Sequence, residues 1–338
     1  MDVARRAGVG TTTVSRVING GERVSQKTLA RVRSIIDQLG YTPNQAARIL
    51  KGERTRTIGL VIPSIADSFF ANCAEAAQLI ARAHDSMLVV ATTDNDPLIE
   101  MENINVLMRH RADGLLIAPA NSQSDSLASF LARTSIPVVC IDRPVAKSSA
   151  PSVGIDNFKG ARLATEHLIE HGYRRILCLG SETTLYTIHE RLRGYRHAMA
   201  AAGLPPIEDM SGRDYKSIEH SIESHMSGSK PPEAIFTIKN SVTIYTFETL
   251  QKLRIAIPKT VALLGFDDFE LASTLRPAIS VIQQPVEDIG RTAAELLFAQ
   301  LLGPGRVKSN GRRKTVQVKL EPLLVRRESC GCNSSPER

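Results

Sequence analysis

Asp2-Val-Ala-Arg-Arg-Ala-Gly-Val-Gly-Thr-Thr-Thr-Val-Ser-Arg-Val-Ile-Asn19 opens the chain, and its spacing decides the fold of the first segment. Val3, Ala4 and Ala7 recur at helical intervals until Gly8-Val9-Gly10 breaks them. A second helix then runs over 11–18 with Val14, Val17 and Ile18 on one face. Asn19-Gly20-Gly21 stops it, because these residue types enter the left-handed backbone region at little steric cost. Ser25 reads as the cap of a third helix whose Leu29, Val32, Ile35, Ile36 and Leu39 keep the helical period, and Gly40 ends it. Helix, tight glycine-containing turn, helix is the helix-turn-helix pattern.

Charge singles out the same segment. Residues 1–56 carry eleven Lys/Arg against four Asp/Glu, and residues 57–338 carry thirty-one of each, so the net charge of +7 lies wholly at the N-terminal end. A small helical unit with that charge on a neutral body matches a phosphate backbone. After it, Tyr41-Thr-Pro-Asn44 and Gln45-Ala-Ala-Arg-Ile-Leu-Lys51 predict a short helix between a Pro-Asn start and Gly52. Such a helix is too short to be stable alone in water and forms only against a partner.

From residue 57 strands alternate with helices. Strands are expected at 57–62, 87–92, 114–118, 137–141 and 153–155, with helices at 69–83, 98–111 and 125–132 between them. A second set follows: helix 157–172, strand 175–179, helices 189–202 and 218–226, strand 234–238, helix 242–253, and strands 261–266 and 279–282. Two such runs imply two doubly wound parallel sheets. One more helix, 286–302, and a final strand, 315–325, must each join a sheet, so the chain crosses between lobes more than once. The apolar runs are strand-sized and too short to span a bilayer, and no secretory leader precedes them. Five cysteines in mostly apolar settings give no disulfide framework and suit a reducing cytoplasm.

Residues 2–56 resemble the DNA-binding region of the lac repressor family of bacterial regulators. The resemblance rests on Asp2-Val-Ala, Ala7-Gly-Val, Thr13-Val-Ser-Arg-Val-Ile-Asn19, Val24-Ser25, Leu39-Gly-Tyr-x-Pro-Asn44 and Ala47-Arg-x-Leu50. The body resembles the family's effector domain, which shares its fold with periplasmic sugar-binding proteins. The motifs there are Arg56-Thr-Ile-Gly-Leu-Val-Ile-Pro63, Phe69-Phe70, Ala112-Asp-Gly-Leu-Leu116, Ile141-Asp-Arg-Pro144, Glu190-Arg-Leu-Arg-Gly-Tyr195 and Gly265-Phe-Asp-Asp268. The expected organisation is a helix-turn-helix domain over 1–43, a hinge over 44–56, a two-lobed effector and dimerisation domain over 57–328, and a flexible tail over 329–338. Two departures from the family pattern stand out. The chain opens at Met1-Asp2, inside what the family carries as a longer first helix, and Gly10 replaces the usual serine cap of the recognition helix.

A major groove admits one helix, whose N-terminal residues meet base edges. Thr11, Thr12 and Thr13 occupy that end, with Thr11 alternatively the helix cap. Ser15 and Arg16 follow within a turn, and Arg16 is suited to a guanine edge or to a phosphate. Asn19, Arg23, Tyr41 and Asn44 are placed to anchor the DNA backbone. The resemblance further implies that the hinge helices of two subunits pair in the minor groove of a near-palindromic operator. Leu50 is then the wedge between base pairs, and Ala47 the small residue at the helix contact. Two heads for two half-sites require a homodimer.

In open α/β sheets ligands sit beyond the carboxyl ends of the strands. Those ends gather 64–70, 94–96, Asp142-Arg143, 181–191, Lys239-Asn240 and Asp267-Asp268, a mix that suits a sugar or a nucleoside or purine-like ligand. By resemblance Arg191 and Asp267 grip the ligand, Asp142 and Asn240 support them, and Phe69 and Phe70 form a wall. Core packing is the alternative for Phe70, a solvated helix position the alternative for Arg191, and Asp268 reads as a cap.

Catalytic and metal chemistry are not expected. His167-Leu-Ile-Glu-His171 fits a zinc-protease expression but lies on an amphipathic helix with no third ligand in sight, and Cys330-Gly-Cys332 reads as a loose end offering too few thiolates for a closed site. There is no phosphate-binding P-loop and no serine elbow. The Gly- and Ser-containing basic loop 306–314 reads as a solvated turn. No cofactor is implied. A solute-binding protein or an enzyme built on the same two lobes is the competing reading.

Overall fold

In the computed structural model the described residues are 2–18, 20, 23–40, 54–181, 184–303 and 316–332. They divide into two units, 1–55 and 56–338.

The first unit is a three-helix head: α1 (Asp2–Ala7), α2 (Thr11–Ile18) and α3 (Gln26–Gln38). Val3, Ala4, Ala7, Val14, Val17 and Val32 form its core, the residues whose spacing called for helices. Gly8, at φ +61°, makes the turn out of α1, and the Val9 N–H bonds back to the Ala4 carbonyl at 3.1 Å. The Ser25 side chain accepts from the Thr28 N–H and starts α3. Of the hinge, residues 44–53 lie outside the described residues.

The second unit holds two six-stranded sheets. The first is built from β1 (Thr57–Ile62), β2 (Met87–Thr92), β3 (Gly114–Ile117), β4 (Val138–Ile141) and β5 (Ser152–Ile155), in the order β2-β1-β3-β4-β5. Helices α4 (Ser68–Ala83), α5 (Pro97–Arg109) and α6 (Asp125–Arg133) connect them. The second repeats that order with β6 (Ile176–Leu179), β7 (Ile207–Asp209), β8 (Ala234–Thr237), β9 (Ala262–Phe266) and β10 (Ser280–Gln283). Its helices are α7 (Asn157–Glu170), α8 (Tyr186–Ala201), α9 (Tyr215–Ser227) and α10 (Asn240–Lys252). Strands such as Leu-Leu-Ile in β3 are buried along their whole length, as a parallel sheet covered on both faces requires.

The chain passes between the lobes three times: from β5 into α7, from β10 into α11 (Val286–Leu302), and between two short last strands. The single strand expected over 315–325 is in fact two. β11 (Gln317–Leu320) joins the first sheet parallel to β5, and β12 (Leu323–Val325) joins the second antiparallel to β10. Pro322 lies between them; lacking an N–H, it cannot continue a ladder. α11 packs on α4 so closely that a Cβ on Gly290 would sit 2.3 Å from the Cys73 carbonyl oxygen. β7 was not expected, and α8 starts at Tyr186 rather than 189. Among the described residues no helix is long and apolar enough to cross a membrane.

Residues 329–332 do not form the expected flexible tail. The Ser329 hydroxyl donates to the Leu263 carbonyl at 2.6 Å and accepts from the Ser280 N–H at 2.8 Å, and both Ser329 and Cys330 are fully buried. Ladder-like bonding to the neighbouring strands outweighs the polar composition that suggested a loose end.

Candidate functional site

In the head, burial of Val14 and Val17 turns the opposite face of α2 outward. Thr11, Thr12 and Arg16 are exposed there, and Thr13 and Ser15 half-buried. The Gly10 carbonyl accepts from the Val14 N–H at 3.2 Å, the first intrahelical bond, so Gly10 is the cap and Thr11 the first helical residue. The Thr11 hydroxyl is thereby released from the capping role that its position also allowed. Arg23 is exposed at φ +61°. Asn19, Tyr41, Asn44, Ala47 and Leu50 lie outside the described residues, as do 306–314.

In the two-lobed unit the centre of the site is Arg191. It lies in the second turn of α8, inside the helix rather than in the strand-to-helix loop, because α8 begins five residues earlier. The side chain is 5% exposed. Nε donates to Asn157 Oδ1 at 2.8 Å, and Nη1 donates to the Ile238 carbonyl at 2.9 Å and to Asp267 Oδ2 at 3.3 Å. Cζ stacks 3.7 Å from the centre of the Phe266 ring. Nη2 makes no hydrogen bond among the described residues. Asp267 is held from its other side, where Oδ1 accepts from Gln284 Nε2. A cation fixed on this many sides is no solvated helix charge.

Three amide atoms beside this pair are buried without a partner: Asn157 Nδ2, Asn240 Oδ1 and Gln284 Oε1. Buried polar atoms in folded proteins are normally satisfied, so several orphans gathered at one place ask for a ligand or ordered water. Asn240, Asp267, Gln284 and Phe69 line one cavity of about 590 Å³.

Across from them Asp142, at φ +68°, pairs with Arg143 Nε at 3.0 Å. Burial pushes its carboxyl up, against the pull of the Arg143 and Arg191 guanidiniums. Asp67 caps α4 through the Phe69 N–H, and burial and the Asp267 charge push it up as well. Carboxyls from both lobes thus converge on Arg191. Phe70 does not join them: it is 5% exposed, belongs to the hydrophobic core and meets Phe69 edge-on at 4.9 Å, so the core alternative holds. Asp268 pairs in fork fashion with Arg327, at 2.9 and 2.7 Å, which ties the last segment to the second lobe. A second cavity, of about 540 Å³, is lined by residues such as Leu131, Val138 and Leu296 and carries no charged side chain.

A basic helix-turn-helix head and a two-lobed body with a polar crevice agree with the comparisons. Residues 1–44 match the model of bacterial regulatory proteins of the lacI family, and residues 55–321 match that of periplasmic binding proteins and the sugar-binding domain of the LacI family. The chain belongs to the lacI family. It is 32% identical over 331 residues to the ribose operon repressor of Haemophilus influenzae, covering 97% of each chain. The solved transcriptional regulator CelR in complex with cellobiose is 30% identical, with a TM-score of 0.70 over 97% of this chain and 98% of that one. The lac repressor dimer bound to operator, at 23% identity, shares the fold with a TM-score of 0.85 over 97% of this chain and 98% of that one. This lacI-family chain is a DNA-binding transcription regulator and not an enzyme.

Sequence reasoning missed Asn157, Gln284 and Phe266 in this lacI-family crevice. Each follows a strand end or closes one, but nothing local says that they surround Arg191. It also split one constellation in two: His167 and His171 are not a plain helix face, because the chain's last described residues bring Cys330 and Cys332 to them.

Proposed function

We propose that this regulator is a homodimeric repressor acting in the cytoplasm, whose operator binding is controlled by a sugar held between its lobes. The observation that carries the sugar reading is the Arg191 cluster: a fixed guanidinium with one nitrogen unengaged, carboxyls facing it, and three orphan amide atoms of mixed donor and acceptor type. Such a set grips several hydroxyl groups, each of which both donates and accepts. Phe69 and Phe269 are the aromatics lining the cavity, whereas Phe70 lies in the core and Arg191 covers one face of Phe266. Hydrogen-bonding side chains outnumber these rings, which favours the many hydroxyls of a sugar over a flat purine. The relatives named for ribose and cellobiose agree.

Arg191 and Asp267 are the main grips, with Asp142 and Asn240 beside them and Phe69 as the wall. On DNA, Thr11, Thr12, Thr13, Ser15 and Arg16 meet base edges in the major groove. Asn19, Arg23, Tyr41 and Asn44 hold the backbone, and Leu50 and Ala47 of the hinge enter the minor groove. Leu79 of α4, Met87 and Val90 of β2, and Leu98 and Ile99 of α5 leave apolar surface exposed on the first lobe, and the partner subunit covers it. Ligand acts by preferring one arrangement of the lobes.

Thermal-shift screening of the full chain against pentoses, hexoses, disaccharides and nucleosides tests this. A sugar should raise the melting temperature and change the shift of an operator duplex. A nucleoside hit with no sugar hit would refute the ligand class, and a chain lacking residues 1–52 that still shifts the operator would refute the head.

A further inference from the structure

The strongest feature that the regulator's function leaves unused lies at the far end of α7 from Asn157. His167 and His171 stand four residues apart, on one face of the helix end. The chain's last described residues come back to them. His167 Nε2 is 3.3 Å from Cys330 Sγ and 3.5 Å from Cys332 Sγ, and His171 Nε2 is 3.3 Å from Cys332 Sγ. All four ligand atoms lie within 4.8 Å of one another.

Those separations have a geometric meaning. Around a tetrahedral zinc ion, with bonds of about 2.3 Å to sulfur and 2.0–2.1 Å to nitrogen, neighbouring ligands stand about 3.6 Å apart for sulfur and nitrogen. Three of the four sulfur–nitrogen edges already lie close to that value. The Nε2 atoms of both rings point at the sulfurs, so the two imidazoles and two thiols share one centre.

The surroundings hold this set in place. Gly331, between the cysteines, sits at φ +93°, a conformation that turns both sulfurs to the same side. A Cβ there would meet the Tyr173 hydroxyl at 2.8 Å, so that position has no room for a side chain. Ser280 Oγ donates to Cys330 Sγ at 3.0 Å, the kind of outer hydrogen bond that steadies a thiolate ligand. Ser329 is bonded into the second lobe on both sides, so the cysteines are delivered by an ordered segment.

We propose that His167, His171, Cys330 and Cys332 form a closed site for a zinc-class divalent cation that fastens residues 330–332 to α7. Two imidazoles and two thiolates are the donor set that zinc takes in structural sites. Four protein ligands leave no open position for water or substrate, so the role is structural. The site closes a loop from the second lobe's first helix to the segment that follows β12, and it is independent of which effector the crevice takes.

The test is metal content of the full chain, purified under reducing conditions from zinc-supplemented culture, together with the visible spectrum after cobalt(II) replacement. His171 is exposed and Cys332 half-buried, so H171Q and C332S leave the fold intact, and H110Q, at another exposed histidine, is the control. The wild type and H110Q should carry one ion per chain and show the intense ligand-field bands of tetrahedral thiolate-bound cobalt. H171Q and C332S should lose occupancy by about tenfold or more. Chelation should lower the melting temperature of the wild type and leave that of C332S unmoved. Less than half an ion per chain in the reduced wild type, octahedral cobalt bands, or variant occupancy equal to wild type would each overturn the site. If a variant fails to fold, the wild-type cobalt spectrum decides.

Discussion

Arg191→Met removes every donor of the guanidinium and keeps most of its alkyl length, so it isolates the polar part of the site. Three acceptors lose their partner at once: Asn157 Oδ1, the Ile238 carbonyl and Asp267 Oδ2. Breaking a buried ion pair by deleting one partner costs about 3–5 kcal/mol, because the remaining charge is stranded. Asp267, whose side chain is 16% exposed and still accepts from Gln284, is stranded only in part, which places its share at the low end. The two neutral acceptors add about 1 kcal/mol or more each. The total is then about 5 kcal/mol, and for a unit of this size it lowers the melting temperature by roughly 10–20 °C. Calorimetry of the full chain measures it on the effector unit's transition. Adding Asp267→Asn to Arg191→Met should recover part of the loss, since the stranded charge is gone. A shift under about 3 °C in the single variant, or no recovery in the double, would show that the guanidinium is neither buried nor bonded as described.

Glu100 is fully buried, with Oε1 accepting from the Ala120 N–H at 2.6 Å and Oε2 unpaired. Burial pushes its carboxyl up from 4.5 to about 7. The folded state therefore holds a proton that the unfolded state has released, and stability falls as pH rises from 4.5 through 7, by up to about 3 kcal/mol. Glu100→Gln should flatten the urea midpoint across that window and be more stable at pH 8; a parallel fall in both proteins would sink the reasoning. Gly194 lets α8 close on α7, where an added Cβ would lie 2.2 Å from the Phe158 carbonyl oxygen. Gly194→Ala should cost about 1–3 kcal/mol, and it should weaken the Arg191–Asn157 contact and so effector binding; an unchanged melting curve is the opposing result. Arg16→Ala should cost about 1–3 kcal/mol on operator and less on random duplex, read by anisotropy. Equal losses on both duplexes, with a salt slope shallower by about 0.9, would make Arg16 a phosphate contact.

The parts of the fold that were readable are those whose signal is local. Val14 and Val17 announce the buried face of α2, and unbroken apolar runs such as those of β3 announce strands covered on both sides. β7 was invisible because Ile207–Asp209 offers one apolar residue, and its edge position is fixed only by pairing with β6. The split of the last strand needed the knowledge that each half meets a different sheet. In the crevice, the strand ends marked only broad segments, and the family resemblance singled out Arg191 and Asp267 among them. Asn157 lies thirty-four residues from Arg191, and its role comes from the crossing between lobes. Phe70 was ambiguous for a physical reason: a phenylalanine in the first turn of α4 faces either the crevice or the core, and only packing chooses. The metal-ligand set shows the same limit at its widest, since His167 and Cys330 are 163 residues apart and each half looks ordinary alone.

In the proposed function a basic head reads a symmetric duplex, and a ligand in the crevice decides whether it does so. The most direct measurement is selection of bound duplexes from a random pool by the full chain, followed by titration of the winner with and without the sugar that raises the melting temperature. The expected result is a two-fold symmetric site whose affinity changes at least about tenfold with the sugar, or about 1.4 kcal/mol, in the wild type but not in Arg191→Lys. Enrichment of no symmetric site, or an affinity indifferent to every stabilising sugar, would contradict it.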